Sequence, residues 1–134
     1  MNCRLLVEIA DVLGKNTEKA YYENLASETA RRLNEVYLNR DEGFYATGSQ
    51  ASNTFMLYLG IVPEEQKKSI LRHLTDEIIR HDTHLTTGNI CSRYMLDVLA
   101  DCGQIDLAYT LATQTTYPSW GYMLSRGATT TWER

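Results

Sequence analysis

The residues best suited to do chemistry lie together in one stretch: Thr116-Tyr117-Pro118-Ser119-Trp120-Gly121-Tyr122-Met123-Leu124-Ser125-Arg126-Gly127-Ala128-Thr129-Thr130-Thr131-Trp132-Glu133-Arg134. It combines aromatic rings, small residues and one carboxylate on a segment with no helical stripe. Loops on a rigid scaffold are where sites are usually built. An aromatic platform beside a carboxylate suits sugar chemistry, because the apolar sugar face packs on a ring while an acid or base works at the anomeric carbon. Nine Tyr against two Phe point the same way, since tyrosine pairs an apolar ring with a polar tip. Most of those tyrosines are expected to cap half-buried helix faces.

Other reactive types are weaker signals. His81-Asp82-Thr83-His84 places two histidines around a carboxylate, yet no third ligand follows nearby, so a helix-end or pocket-lining role is preferred and no metal is expected. Ser119 lacks the G-x-S-x-G elbow of an activated serine. Cys3, Cys91 and Cys102 form no C-x-x-C pair and are expected as free, buried thiols, which fits a reducing compartment. A formal charge of −4 without a basic stretch argues against nucleic acid. The first residues, interrupted by Arg4, Glu8 and Asp11, lack the pattern of a signal peptide, and no run is long enough for a membrane span.

The elements that must position the tail read as helices almost throughout. Apolar spacing predicts helices over about 2–13, 16–38, 49–59, 63–80, 88–102 and 104–115, with Asn16 as the cap of the second. Asp41-Glu42-Gly43 reads as a turn, because glycine supplies a positive φ. Phe55-Met56-Leu57-Tyr58-Leu59 reads as core. Ile70, Leu71, Leu74 and Ile78 are expected to face inward. The result is one all-α domain over residues 1–134, an array of antiparallel helical hairpins without the fixed period of a helical solenoid. The tail is expected as an ordered loop with a short strand at most.

Tyr117-Pro118-Ser119-Trp120-Gly121-Tyr122-Met123 and Gly127-Ala128-Thr129-Thr130 through Trp132-Glu133-Arg134 resemble the signature of the α-L-rhamnosidases of glycoside hydrolase family 78. His84-Leu85-Thr86-Thr87-Gly88, the run from Val98 to Gly103 with Asp106 to Tyr109, Leu59 to Pro63 and, more loosely, Gln50 are similar to that family as well. The resemblance is strong from about Leu57 onward and weaker before it. It implies a catalytic (α/α)6 barrel of which this chain supplies about half, hydrolysis of terminal α-L-rhamnose from a glycoside or polysaccharide with inversion, and no cofactor. It also implies that Glu133 is the general base and that Trp120, Tyr117, Trp132 and His84 shape the sugar pocket.

Inversion needs a second carboxyl group, the general acid, roughly 6.5–9.5 Å from the base. The family takes its acid from a carboxylate-rich segment of the form D-x-x-R-D-E-R-x-G-W, and this sequence has none. Asp41-Glu42 and Glu64-Glu65 are carboxylates at helix boundaries. The chain is therefore expected to carry one half of a site and to be inactive alone. Helix faces cut from a closed barrel would also favour self-association. The competing expectation is a non-catalytic helical module that binds sugar or another protein. A different six-hairpin glycosidase would share the architecture but not this tail.

Overall fold

The computed structural model describes residues 2–132. The chain forms two compact units, one ending at Leu38 and the other beginning at Asn39.

The first unit is a helical hairpin of α1 (Asn2–Val12) and α2 (Asn16–Tyr37). Gly14, at φ 65°, closes α1: its N–H donates to Asp11 O, and the Lys15 N–H donates to Ala10 O. This satisfies carbonyls that the end of a helix would otherwise leave unpaired. Asn16 is the first residue of α2 and not its cap; Lys15 holds the cap position without a side-chain bond. The apolar stripe expected on α1 exists, but Leu5, Ile9 and Leu13 stay exposed, as do Leu25, Val36 and Tyr37 of α2. Ala10 is the one buried residue of α1, and α2 has none.

In the second unit, β1 (Leu38–Asn39), at the junction, pairs with β2 (Phe44–Tyr45) around the expected turn. Gly43 adopts φ 72°, and a Cβ there would stand 2.7 Å from the Ser69 Cβ, so both the turn and its packing require glycine. There follow α3 (Gln50–Tyr58), a 3-10 turn (Glu64–Gln66), α4 (Lys67–Arg80), α5 (Asn89–Asp101), α6 (Ile105–Ala112) and α7 (Trp120–Ser125). Leu74 and Ile78 of α4, Met95, Val98 and Leu99 of α5, and Ala108 and Leu111 of α6 make the core. Ile70 is buried with them, whereas Leu71 is only half-buried. Among the described residues no helix is long and apolar enough to cross a membrane.

Two expectations fail here. The tail is ordered but not loop throughout, since Trp120–Ser125 form α7 within it. Ser119 caps that helix by accepting the Tyr122 N–H at 3.1 Å, and Gly127, at φ 78°, terminates it. Nor is the apolar part of α3 fully core, although Leu57 packs against the cluster. Tyr58 is exposed and Phe55, Met56, Leu57 and Leu59 are half-buried, whereas Gln50, Asn53 and Thr54 are completely enclosed. Gln50 and Asn53 on that face meet backbone groups that need partners, and Thr54 donates to Met95 Sδ at 3.2 Å, so polar side chains fill it. Among described residues no buried side-chain nitrogen or oxygen lacks a hydrogen bond.

Candidate functional site

The candidate site is a cleft between the loop that enters α5 and the tail that forms α7. Leu85, Thr87, Asn89 and Ser92 line one side, and Trp120, Met123 and Trp132 the other. It is a shallow cleft with a cavity volume of about 40 Å³. Its floor is polar and ordered: Ser92 Oγ donates to Gly88 O at 3.1 Å, so the Thr87 hydroxyl donates to Ser92 Oγ at 2.8 Å. Both residues are buried. The sequence contains two tryptophans, and both face this cleft. Indole walls over fixed hydroxyls can pack the C–H face of a pyranose and hydrogen-bond its hydroxyl groups.

The loop wall is anchored from three directions. Asp82 and Thr83 both take left-handed backbone conformations, φ 53° and 57°, which are costly for non-glycine residues and most so for branched Thr83. The Asp82 carbonyl is held by two donors, His84 Nδ1–H at 2.8 Å and Gln114 Nε2–H at 3.2 Å. Because that carbonyl can only accept, the proton of neutral His84 is on Nδ1. Its Nε2 then accepts from Thr116 Oγ1–H at 2.9 Å, tying the loop to the start of the tail. From below, the Gln50 amide binds His84 O and the Thr86 N–H, both at 3.0 Å. His81 belongs to the helix end, its Nδ1 donating to Glu77 O at 2.8 Å.

Of the residues singled out by sequence, Trp120 and Trp132 meet in the cleft. His84 adjoins it through Leu85 and acts as a tie to Thr116. Tyr117 is outside the cleft lining, 66% exposed, with its ring edge-on to Tyr122 at 5.3 Å between centroids. Glu133 lies outside the described residues. Sequence reasoning did not find Thr87, Asn89, Ser92 and Met123 as lining residues. The run Thr87-Gly88-Asn89 before an apolar-periodic segment is a helix-start signal, and such starts often carry polar site groups. The cysteines are free, and burial pushes the Cys91 thiol up to about 11, which keeps it protonated and unreactive.

The aromatic wall depends on one close approach. A Cβ on Gly121 would stand 2.4 Å from Gln114 O and 3.1 Å from Thr115 Cα, so α7 lies directly on backbone that has no side-chain slack. Alanine would favour the helix by about 1 kcal/mol, but the clash costs more, and we expect Gly121→Ala to destabilise the chain by about 1–3 kcal/mol. Thermal melting monitored by circular dichroism measures the loss. A red shift of tryptophan emission in the still-folded variant would report that Trp120 has moved.

The helices of the second unit thus hold a cleft walled by two indoles over buried hydroxyls. Residues 1–134 match the bacterial alpha-L-rhamnosidase 6 hairpin glycosidase domain, and the chain belongs to that family. An α-L-rhamnosidase of Formosa agariphila is 35% identical over 133 residues, covering 99% of this chain and 14% of the relative. One from Streptomyces avermitilis is 35% identical over 130 residues, covering 97% and 12%. Among solved structures, an α-L-rhamnosidase from Dictyoglumus thermophilum superposes with a TM-score of 0.90 at 44% identity, over 98% of this chain and 15% of that one. The Streptomyces avermitilis enzyme complexed with L-rhamnose gives 0.90 at 33% identity, over 98% and 12%. The helical fold expected from sequence is thus that of the six-hairpin glycosidase domain, and the chain spans 12–15% of the length of these relatives.

Proposed function

We propose that this chain forms one wall of the rhamnose site of an inverting α-L-rhamnosidase, with Glu133 as the general base and the general acid supplied by a segment outside these residues. The observation that carries this is the cleft: both tryptophans of the chain line it, and Glu133 directly follows Trp132 in the sequence. A rhamnose complex of a relative at 33% identity supports the choice of sugar. Trp120 and Trp132 pack the sugar, the hydroxyls of Thr87 and Ser92 and the Asn89 amide hold its polar edge, and Glu133 activates water. Without an acid to protonate the leaving oxygen, the base alone does not cleave the glycoside.

The 134-residue chain should accordingly bind without hydrolysing. L-Rhamnose is expected to change its tryptophan emission saturably, D-glucose to leave it unchanged, and Trp120→Ala to remove the response. Incubation with an aryl α-L-rhamnoside should release no phenol. Release that co-purifies with the chain would refute the half-site, and an emission insensitive to L-rhamnose would refute sugar binding by this piece.

A further inference from the structure

The cleft has two walls from distant parts of the sequence, and one buried amide touches the backbone that sets their spacing. Gln50 opens α3 and is fully enclosed, next to Asn53 and Thr54 on the same helix face, which are equally buried. Its Nε2–H donates to His84 O and its Oε1 accepts the Thr86 N–H, each at 3.0 Å. These bonds straddle Leu85, which lines the cleft, and one residue further lies Thr87 of the polar floor. The His84 ring then carries the hold to Thr116, just before the segment that leads into Trp120.

We propose that Gln50 is the positioning residue of the cleft, fixing the loop wall directly and the indole wall through His84 and Thr116. The chemistry explains the residue type. Residues 84 and 86 offer one carbonyl and one N–H in register, and a primary amide meets both at once as a neighbouring strand would. Asparagine would be a methylene too short. A charged side chain, acceptor-only or donor-only, would leave one of the two bonds unmade, at a cost that buried polar groups do not tolerate. The claim rests on the rhamnose reading only in naming the sugar.

Gln50→Glu tests it, because the substitution keeps the shape and makes the clamp depend on a proton. As a carboxylate, the new side chain still accepts from Thr86 but presents a second acceptor to His84 O. As a neutral acid, it regains one donor and one acceptor and restores both bonds. Burial raises the carboxyl pKa, so the neutral form is reached at mildly acidic pH. At pH 8 the variant is expected to bind L-rhamnose about tenfold more weakly than wild type. The loop, released at His84 O, is expected to open about tenfold more often, which lowers the Thr86 amide's exchange protection by the same factor although its own bond is kept. At pH 5 both should return to within about twofold of wild type measured at the same pH, a comparison that removes the contribution of groups the two proteins share. Gln50→Met, which can form neither bond at any pH, should show the defects without recovery.

Affinity and protection equally impaired at both pH values in Gln50→Glu would overturn the proposal. So would a wild-type affinity at pH 8 in a variant whose Thr86 is unprotected. Should wild type itself not respond to L-rhamnose, the sugar assignment fails separately. The clamp is then judged by acrylamide quenching of Trp120 and Trp132: increased at pH 8 and reversed at pH 5 supports it, and unchanged quenching overturns it. Far-UV circular dichroism identifies folded samples, and Gln50→Met replaces Gln50→Glu at pH 8 if the latter unfolds there.

Discussion

Glu133→Gln is expected to lower kcat by about three orders of magnitude once this chain stands in a complete six-hairpin domain, since a positioned base is worth about 10²–10⁴-fold. The assay is a chimera in which these residues replace the matching segment of the Dictyoglumus thermophilum enzyme, 44% identical and covering 98% of this chain. Glutamine keeps the size and much of the hydrogen bonding of glutamate but cannot take a proton from water. KM should therefore move little while kcat collapses, the pattern of an interaction used in the transition state and not in binding. The acidic limb of the pH–rate profile, which reports the base, should vanish with it. Proton NMR of the fresh product supplies the stereochemical half of the argument: attack from the face opposite the leaving group releases the β-anomer first. A kcat reduced less than tenfold would remove Glu133 from the role of base, and an α-anomer appearing first would remove inversion.

The legible and illegible parts of this site differ for physical reasons. Trp120 and Trp132 were legible as large aromatics among small residues, and both line the cleft. The helix they flank was not, because α7 has six residues, fewer than two turns, and a stripe of Trp120, Met123 and Leu124 is too short to establish a period. Its ends were the better signal: Ser119 supplies an N-cap and Gly127 a left-handed stop. The resemblance assigns Tyr117 to the sugar pocket; in the structure its ring packs on Tyr122, outside the cleft lining. The helices of the second unit were predicted closely because Ile70, Leu74 and Ile78 bury at regular steps. In α3 the expectation that Phe55 to Leu59 form core placed burial on the apolar residues, whereas Gln50, Asn53 and Thr54 are the enclosed ones. Hydropathy ranks side chains by their dislike of water, and it cannot register that the surface Gln50 and Asn53 meet offers backbone donors and acceptors.

That misread face supplies the largest stability effect expected here. Asn53 is enclosed and its amide serves three partners: Oδ1 accepts the Tyr45 N–H at 2.9 Å, and Nδ2 donates to Gly48 O at 3.3 Å and to His73 Nδ1 at 3.2 Å. The Tyr45 bond fixes which way the amide points, and the donated bond fixes the His73 proton on Nε2 in the neutral ring. His73 in turn packs against Phe44 at 4.9 Å between ring centroids, so one side chain joins the β2 hairpin, α3 and α4. Asn53→Ala removes all three bonds and strands Gly48 O and His73 Nδ1 in a space that alanine does not fill. At about 1–3 kcal/mol for each buried group left unpaired, the loss should reach roughly 3 kcal/mol. For a unit of this size that lowers Tm by on the order of 10–20 °C, measurable by calorimetry. Asn53→Asp separates hydrogen bonding from volume, since it keeps the acceptor for Tyr45 and loses both donated bonds. It should fall between wild type and alanine only at low pH, where a neutral carboxyl can donate once. A melt within 3 °C of wild type for Asn53→Ala would mean that the hairpin and α4 are held by their apolar contacts alone, and that the buried amide is a consequence of the packing rather than its cause.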